Sequence, residues 1–440
     1  MLPSFAVNPQ NNPDDPPPLT RRQAIGLLGA LALPLEGLLS AAQGTTAPAS
    51  LPAAGSATPV PPDLANLHET MAWLARENAP RLSFLNPQWT SLDAWKAAAR
   101  PILRRSHSYD PKPAPLSVEL VRREERDGFT IEVVKIRATA AYDIPARVLI
   151  PAKRSGRLPA VVAMHCHSGR YTWGHEKILS YPGESPALAE IRNRDGRPWA
   201  EALVKRGYIV IVVDAFYFGE RRLRAEDLEP GRVFSEVRDS HRAALAAAPG
   251  SPEWIAAVNR VCSFYEHLTA KTLTAAGVTW PGLLAWDDMR TVDYLASRPD
   301  VDPARIGAAG LSGGGLRTTH LIAADPRIKA ASITGWMTEF AHQLHHHVRH
   351  TWMAFSPGLY SSLDLPDAAA LHAPGALLVQ QCLRDTLYPL EGMRGAVDKL
   401  TRIYAKAGLP ERFRGSFHDA PHSFTPPMQD ETFAWFDRWL

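Results

Sequence analysis

The sequence predicts an α/β protein with a mostly parallel central sheet that helices cover on both faces. Two observations predict this class. Short apolar runs, typical of buried strands, alternate with helix-like stretches over most of the chain. Three further strand-like runs come first and are joined by short connections, which indicates an antiparallel start. Because parallel strands need crossover connections, we expect ligand sites beyond the carboxyl ends of the strands.

The N-terminal segment is predicted to lie outside this sheet. Residues 1–42 hold Arg21-Arg22, a short apolar stretch and small residues at Ser40-Ala41-Ala42, the layout of a twin-arginine export signal. The apolar stretch is interrupted by glycine and proline, so no stable membrane span is expected. Residues 43–62 are rich in Pro, Ala, Ser and Thr and are predicted to be a disordered linker. The mature protein is therefore expected in the periplasm or outside the cell, with the twin-arginine machinery as an export partner.

The two following segments are predicted as an N-terminal helical extension over 63–110 and a catalytic domain over 111–440. The extension contains two helical patterns, with Asp63 and Ser91 as N-cap candidates. The catalytic domain opens with three strands, in "LSVELVRREERDG", "FTIEVVKIRAT" and "IPARVLIPA". Asp127-Gly128 is a hairpin turn signal between the first two strands.

Strands and helices then alternate to the end of the chain. The predicted strands lie in "LPAVVAMHCHSG", "GYIVIVVDAF", "ARIGAAGL", "IKAASITGW", "GALLVQQCLRD" and "RFRGSFHD". Two stretches that do not fit this alternation, about 225–285 and 337–372, are predicted to be helical insertions near the active site. The stretch "MQDETFAWFDRWL" predicts a terminal helix.

Composition excludes several function classes. The chain is 45% hydrophobic and 21% charged with a net charge of +3, so it is globular and shows no basic excess for nucleic acid. Its three cysteines, Cys166, Cys262 and Cys382, are odd in number and widely spaced, which predicts neither a disulfide framework nor a zinc finger.

The stretch "ARIGAAGLSGGGLRTTHLIAAD" contains the strongest functional signal. Ser312 stands between Gly310 and Gly314, at the end of an apolar run and before a helix-like stretch. A sharp strand-to-helix turn needs small residues two positions away on each side, and it raises the serine oxygen above the sheet. We therefore predict that Ser312 is a nucleophile, and that the N–H of Gly313 and the helix N-terminus stabilise an oxyanion. The alternative is a glycine-rich turn whose serine only caps the helix.

A serine hydroxyl needs a base, and that base needs an acid to orient it. In enzymes with this turn the order along the chain is Ser, acid, His. Asp385 ends a later strand and is the predicted acid, although it could instead cap the turn "DTLYP". His422 lies in the loop after the last strand and is the predicted base, with His418 as a rival. His167, in the loop "HCHSG", is predicted to supply the second oxyanion N–H.

Four stretches also carry a resemblance to a known family: "HCHSGRYTWGHEKI", "RGYIVIVVDAFYFGERR", "WDDMRTVDYLASRPDVDPARIGAAGLSGGG" and "DAPHSFTPPMQDETFAWFDRWL". Through them the chain, from about residue 65 onward, resembles bacterial α/β-hydrolases of the dienelactone hydrolase and acetyl xylan esterase type. The resemblance implies the α/β-hydrolase fold and a triad of Ser312, Asp385 and His422. Dienelactone hydrolase has a Cys nucleophile where this chain has Ser, and many relatives have His-Gly where this chain has His165-Cys166.

Two groups of histidines have spacings that a metal could use. On a stretch predicted to be helical, His342/His346 and His346/His350 are four residues apart, and His345 and His347 lie among them. His165 and His167 form a second pair, which the oxyanion loop already explains. No metal and no cofactor is predicted, because no carboxylate accompanies the first group and a solvated lid helix accounts for it.

Three further residues are predicted to contact substrate. Arg221 follows a strand and could hold a substrate carboxylate, or could form a buried pair with Asp287 or Asp288. Trp286 and Trp336 lie in or beside the insertions, where they could stack on a sugar or an aromatic acid, or pack within a lid.

Together these observations predict an exported serine carboxylesterase without cofactor. The predicted substrates are short acyl esters, such as acetyl groups on xylan, by family resemblance and export. Three alternatives remain open at this stage. A glucuronoyl esterase, an aromatic-acid esterase or a peptidase would use the same triad. A metal-dependent hydrolase would use the histidine groups, and a non-catalytic binding module would need no triad.

Overall fold

The computed structural model describes residues 64–343, 348 and 350–440. The predicted export signal, the linker and the cap at Asp63 lie outside the described residues. So do His345, His346 and His347 of the predicted histidine group.

A mixed β-sheet forms the centre of the described residues, in the order β1-β2-β3-β5-β4-β6-β7-β8-β9. Its strands are β1 (Val118–Arg126), β2 (Phe129–Arg137), β3 (Asp143–Pro151), β4 (Leu158–Met164), β5 (Ile209–Val213), β6 (Val301–Leu311), β7 (Ile328–Thr334), β8 (Ala376–Cys382) and β9 (Phe413–His418). Three of the described strand pairs are antiparallel and five are parallel. The antiparallel pairs join β1 to β2, β2 to β3 and β3 to β5.

The predicted α/β class is therefore confirmed, while the sheet is less uniformly parallel than expected. The physical reason is that the first three strands are joined by short connections, which only antiparallel neighbours allow. The β1–β2 hairpin turns at the predicted dipeptide, and Gly128 there has a φ of 84°, which favours glycine.

Helices flank the sheet on both faces. They are α1 (His68–Glu77), α2 (Leu92–His107), α3 (Pro186–Asp195), α4 (Trp199–Val204), α5 (Arg238–Ala246), α6 (Pro252–Ala275), α7 (Trp280–Ser297), α8 (Gly313–Ala324), α9 (Leu365–Ala370), α10 (Leu390–Lys406) and α11 (Pro426–Trp439). Side chains alternate between two cores along β4: Val162 belongs to a core with α2, α7, α8 and α10, and Val161 to a core with α3, α4 and α11. The prediction of helices on both faces is confirmed by this alternation.

The predicted extension and insertions contain several of these helices. In the extension, α2 begins after Ser91, whose Oγ accepts a hydrogen bond from the Ala94 N–H, and it buries Trp95 and Leu103. The first predicted insertion contains α5 and α6, and the second contains α9 and short 3-10 turns. The predicted domain boundaries stay predictions. Among the residues described, no helix combines the length and the apolar character that crossing a bilayer requires.

Candidate active site

Ser312 occupies a strained turn between β6 and α8. Its φ is 59° and its ψ is −120°, a conformation that L-residues rarely adopt. The Ser312 N–H donates to the carbonyl of Thr334, at the end of β7, over 2.8 Å. The Ser312 carbonyl accepts from the Leu316 N–H over 2.9 Å, so both sides of the strained residue are held by neighbouring elements. The surrounding structure therefore maintains a conformation that a free chain would avoid.

Steric crowding requires glycine at positions 310 and 314, two residues before and after Ser312. A Cβ on Gly310 would lie 2.5 Å from the backbone carbon of Gly314. A Cβ on Gly314 would lie 2.3 Å from the carbonyl oxygen of Met164, in β4. Since both obstacles are backbone atoms of packed elements, no rotamer change relieves them.

We expect Gly314→Ala to lower the free energy of unfolding by about 3 kcal/mol or more, because β4 and α8 must separate to admit the methyl group. Chemical denaturation measures this loss. Gly231→Ala is the matched control, since its new Cβ has no atom within 4 Å. Equal stability of the two variants would contradict the close packing described for the turn.

Asp385 and His422 lie together at the carboxyl ends of β8 and β9. His422 Nδ1 is 2.6 Å from Asp385 Oδ2, and the Asp385 side chain is only 1% exposed. The other carboxylate oxygen, Oδ1, accepts the Leu387 N–H over 2.8 Å. Both oxygens of Asp385 therefore have defined partners, and one of them fixes the imidazole of His422.

His422 also lies beside the turn that carries Ser312. A Cβ on Gly335 would lie 3.1 Å from His422 Cε1, and Gly335 directly follows Thr334, the partner of the Ser312 N–H. Among the described residues no hydrogen bond joins the Ser312 hydroxyl to His422. Catalytic hydrogen bonds are often long without substrate and shorten when it binds. The structure thus brings all three predicted triad residues to one end of the sheet.

The rival histidine, His418, has a different environment. Its Nε2 lies 3.0 Å from Glu431 Oε2 and 3.2 Å from Ser416 Oγ, on the outer side of β9. Its partners are therefore on α11 and β9, and among the described residues it has no hydrogen bond to Ser312 or Asp385.

The predicted oxyanion loop lies directly against Gly313. A Cβ on Gly313 would be 3.0 Å from the backbone nitrogen of His167. Lys177 holds this loop, because its buried Nζ donates to the carbonyls of Cys166 and His167, each over 2.9 Å. Burial lowers the pKa of Lys177 to about 8. No sequence signal indicates this role of Lys177, since its contacts lie ten and eleven residues back along an irregular loop.

A buried carboxylate, Glu266 on α6, lies beside the predicted oxyanion loop and was not anticipated from the sequence. His167 Nε2 lies 3.6 Å from Glu266 Oε2. The carboxylate also accepts hydrogen bonds from Tyr171 Oη, Thr351 Oγ1 and Trp352 N. Glu266 therefore connects the oxyanion loop with residues of both predicted insertions.

The hydrogen bonds around His167 define its tautomer. The Gly169 N–H donates to His167 Nδ1 over 3.0 Å, so Nδ1 carries a lone pair and the proton resides on Nε2. That Nε2 is buried and lies 3.6 Å from Glu266 Oε2. Glu266 therefore lies next to the side chain of the residue whose backbone N–H is the predicted oxyanion donor.

We expect Glu266→Gln to remove a pH-dependent part of the stability. Burial alone would raise the pKa of Glu266, but the donors, led by His167, lower it from 4.5 to about 2. A lowered pKa stabilises the fold above about pH 4.5, and this contribution disappears as the pH falls toward 2. A shift of this size corresponds to about 3 kcal/mol.

Unfolding free energies at pH 7 and pH 3 measure this effect. The wild type should lose more than half of its advantage over Glu266→Gln at the lower pH, where the carboxyl group is protonated in the unfolded chain but still largely ionised in the folded protein. The exposed Glu253, on the same helix, provides the control Glu253→Gln, which should follow the wild type at both values. A constant difference between wild type and Glu266→Gln would contradict the assignment of an ionised buried carboxylate.

His350 and Trp336 border the same site. The ring of His350 lies 5.9 Å from that of His167 and 5.6 Å from that of Trp336. Burial lowers the pKa of His350 to about 4, and the neighbouring His167 and His422 add to this lowering. Trp336 follows Gly335 directly and is 2% exposed. The structure therefore places Trp336, of the two predicted tryptophans, near the triad.

Arg221 and Trp286 have other partners. Arg221 Nη1 donates to Asp287 Oδ2 over 2.7 Å, and both side chains are buried. Trp286 Nε1 donates to the carbonyl of Ala138 over 3.3 Å, and its ring meets Tyr109 edge-on. The structure does not bring either residue into contact with the triad. Arg221 therefore forms the buried ion pair with Asp287 that was the alternative prediction for this residue.

One group of potential metal ligands is present among the described residues: His175, Glu176 and Asp214, whose ligand atoms lie within 4.8 Å of one another. Hydrogen bonds already engage both oxygens of Asp214, from the His175 N–H, His175 Nδ1 and the Glu220 N–H. These hydrogen bonds explain the cluster as a structural feature that holds neighbouring loops together. His165, from the predicted pair, is also occupied, since its Nε2 accepts from the Ala215 N–H over 3.1 Å.

The sheet order, the strained Ser312 turn between β6 and α8, and the loops at the same sheet end define the α/β-hydrolase fold. The protein has this fold, and the resemblance drawn from the sequence is confirmed to that extent. The closer resemblance to dienelactone hydrolase stays a prediction.

The chain is similar in sequence to a known protein and in structure to several solved ones. No family model matches the chain. The chain is 27% identical over 340 residues to "Putative hydrolase YtaP" of Bacillus subtilis, covering 75% of this chain and 95% of that protein. It is similar in structure to "a putative acetyl xylan esterase" from Bacteroides fragilis, with a TM-score of 0.61, 18% identity and coverage of 80% of this chain and 82% of the other. It is also similar to a glucuronoyl esterase from Solibacter usitatus, with a TM-score of 0.54, 16% identity and coverage of 79% and 94%.

Proposed function

We propose that this protein is a serine hydrolase that cleaves carboxylic esters through Ser312, His422 and Asp385. The observation that carries the proposal is the position of the Asp385–His422 pair, with its 2.6 Å contact, beside the strained turn of Ser312. A serine that only capped α8 would need neither the strain nor the neighbouring pair.

In the proposed mechanism Ser312 Oγ attacks the ester carbonyl while His422 Nε2 accepts its proton. The Asp385 carboxylate, facing His422 Nδ1, holds the tautomer with its proton on Nδ1 and stabilises the imidazolium that forms. The imidazolium then protonates the leaving alcohol, which leaves an acyl-enzyme on Ser312. Water, deprotonated by His422, attacks the acyl-enzyme and releases the acid.

Two backbone N–H groups, of Gly313 and His167, are proposed to bind the oxyanion of each tetrahedral intermediate. The approach of His167 N to Gly313 supports this pairing. Gly313 is also the first residue of α8, so the partial positive charge of the helix N-terminus favours the same oxygen. Removal of one such donor typically lowers kcat about 10²- to 10³-fold.

Short acyl groups are the proposed acyl substrates. A small cavity of about 10 Å³ lies beside Gly313 and His167, and Phe218, Leu316 and Met353 are among the residues that line it. This is roughly the room that one water molecule needs. An acetyl methyl group can use such a space with little rearrangement, whereas a longer acyl chain requires the side chains around it to move. Acetylated xylan is the proposed natural class, supported by the name of the Bacteroides neighbour. A glucuronoyl ester is the second candidate, supported by the name of the Solibacter neighbour.

Labelling with a fluorophosphonate, followed by mass mapping, tests the proposal. We expect phosphonylation of Ser312 in the wild type and in His418→Ala, and a rate at least about 100-fold lower in His422→Ala, where the base is missing. Hydrolysis of 4-nitrophenyl acetate and acetylated xylan should follow the same order. Absence of labelling in folded wild-type protein would overturn the proposed function and direct attention to metal-dependent chemistry.

We further propose export by the twin-arginine route to the periplasm or the medium, on the basis of Arg21-Arg22. The double variant Arg21→Lys/Arg22→Lys is expected to accumulate in the cytoplasm at full length. Arg76→Lys/Arg81→Lys is the control and should be exported normally. Cell fractionation with immunoblotting measures the outcome, and normal export of the first variant would contradict the proposal.

A further inference from the structure

A second cleft lies beside the oxyanion loop. It has a volume of about 430 Å³ and runs between the loop residues Gly169 and Arg170 on one side and Pro252, Arg260 and Ser263 of α6 on the other. A volume of this order suits a monosaccharide-sized group. None of the roles described so far uses this cleft.

The charged side chains that line the cleft are all positive. Arg170 and Arg260 are the charged residues among those that line the cleft, and no carboxylate lines it. Both arginines are exposed, and among the described residues neither guanidinium has an ion pair or a hydrogen bond. By contrast, Arg221 and Arg317, nearer the core, are each paired with an aspartate. The cleft therefore carries two uncompensated positive charges.

The cleft adjoins the reacting centre through two connections. The Arg170 N–H donates to the carbonyl of His167 over 3.3 Å, so one wall continues from the oxyanion loop. On the other wall, Glu266 follows Ser263 by three residues, about 4.5 Å along the helix, and meets His167.

Asn259 joins the two walls. Its buried Oδ1 accepts the Tyr171 N–H over 2.6 Å and the Thr172 N–H over 3.2 Å, which fixes the loop against α6. The backbone that follows Arg170 is consequently held against α6, so the two walls of the cleft keep a defined separation.

We propose that this cleft binds a negatively charged group, a carboxylate or a phosphate, carried by the ester substrate, with Arg170 and Arg260 as specificity-determining residues. The inference rests on the proposed ester hydrolysis and names the class of substrate. Guanidinium groups bind both anions with paired hydrogen bonds, and the planar donors match both geometries. Binding there positions the scissile ester at Ser312, so the arginines lower KM for anionic esters and leave neutral esters unaffected.

Three acetyl esters of nearly equal size test this: 4-acetoxybenzoate, 4-acetoxyphenyl phosphate and the neutral 4-acetoxybenzamide. In the wild type we expect a KM about 10-fold lower for at least one anion than for the amide, corresponding to one favourable charged contact. Arg170→Gln and Arg260→Gln should each remove most of this preference, with kcat and the KM for the amide unchanged. Lys271→Gln, an equal charge change further along α6, is the control and should keep the preference. Raising the salt concentration should weaken the preference, since the arginines are exposed.

The location of the anion on the substrate is tested separately. Mono-(4-nitrophenyl) succinate and 4-nitrophenyl butyrate differ by a carboxylate on the acyl side. A preference for the succinate that depends on Arg260 places the anion on the acyl group, and a preference confined to the acetoxy series places it on the alcohol. Either result supports the proposal.

Equal KM values for all charged and neutral pairs in the wild type would overturn the proposal. Arginine variants that raise the KM for neutral and anionic esters by the same factor would also overturn it. Failure of the proposed function gives a different result, namely no hydrolysis of any ester and no labelling of Ser312. Calorimetric titration of 4-acetoxybenzoate and 4-acetoxybenzamide into Ser312→Ala then tests the anion site independently of hydrolysis. Preferential binding of the benzoate, lost in Arg260→Gln, supports the anion site, and equal binding refutes it.

Discussion

Ser312→Ala is expected to lower kcat/KM for ester hydrolysis by about 10⁴- to 10⁶-fold, the loss typical of a removed triad nucleophile. The residual rate should reflect only the oxyanion donors and substrate binding. KM or substrate binding should change little, because the hydroxyl forms its bond in the chemical step. Steady-state kinetics on 4-nitrophenyl acetate and calorimetric binding to the variant measure the two quantities.

The strained turn provides a second measurement on the same position. Ser312 has a φ of 59°, which alanine tolerates no better than serine, so Ser312→Ala should unfold at a similar temperature. Ser312→Gly should be equally inactive but more stable by about 1 kcal/mol, because glycine adopts positive φ without strain. Substantial activity in either variant would refute the nucleophile. Sensitivity of that activity to chelators would then favour the metal-dependent alternative.

The Ser312 turn could be predicted because its determinants are local. Two glycines, a strand before and a helix after all lie within a short stretch, and the steric requirement at Gly310 and Gly314 follows from the turn itself. Asp385 and His422 could be predicted because the ends of parallel strands meet at one edge of a sheet, whatever their separation in sequence.

Glu266 could not be predicted for the opposite reason. The 24-residue helix α6 lies in a segment whose length and direction the strand–helix alternation does not determine. Its helical periodicity indicates a buried face, but it does not indicate that this face meets the oxyanion loop. Arg170 and Arg260 share this difficulty, because an unpaired arginine and a paired one look alike in sequence. Arg221 illustrates it, since its partner Asp287 lies 66 residues away.

The structure also distinguishes the two predicted tryptophans by their neighbours along the chain. Trp336 follows β7, one of the strands whose carboxyl ends surround Ser312, and is therefore carried to the site. Trp286 lies within α7, and its indole N–H donates to the carbonyl of Ala138, directly after β2. Position at a strand end was thus a better guide to the site than residue type.

Asp385→Asn is expected to lower kcat by about 10⁴-fold at neutral pH while the fold is preserved, the size of loss seen when the acid of such a triad becomes an amide. The hydrogen bonds around Asp385 give the reason. The Leu387 N–H donates to Oδ1, so an asparagine must place its carbonyl oxygen there and its NH₂ group toward His422. His422 Nδ1 then has to accept a hydrogen bond, its proton moves to Nε2, and Nε2 can no longer take the proton of Ser312.

The matched control for this variant is Asp419→Asn, a change of the same type at an aspartate whose side chain is 81% exposed and paired with Arg384. It should retain wild-type activity. Binding of a substrate analogue should remain normal in Asp385→Asn, since only the proton transfer is affected. The rate of phosphonylation of Ser312 should fall in parallel with kcat, because both reactions need a deprotonated hydroxyl. If Asp385→Asn keeps more than a tenth of the wild-type kcat, Asp385 does not orient the base, and its contact with His422 is structural only.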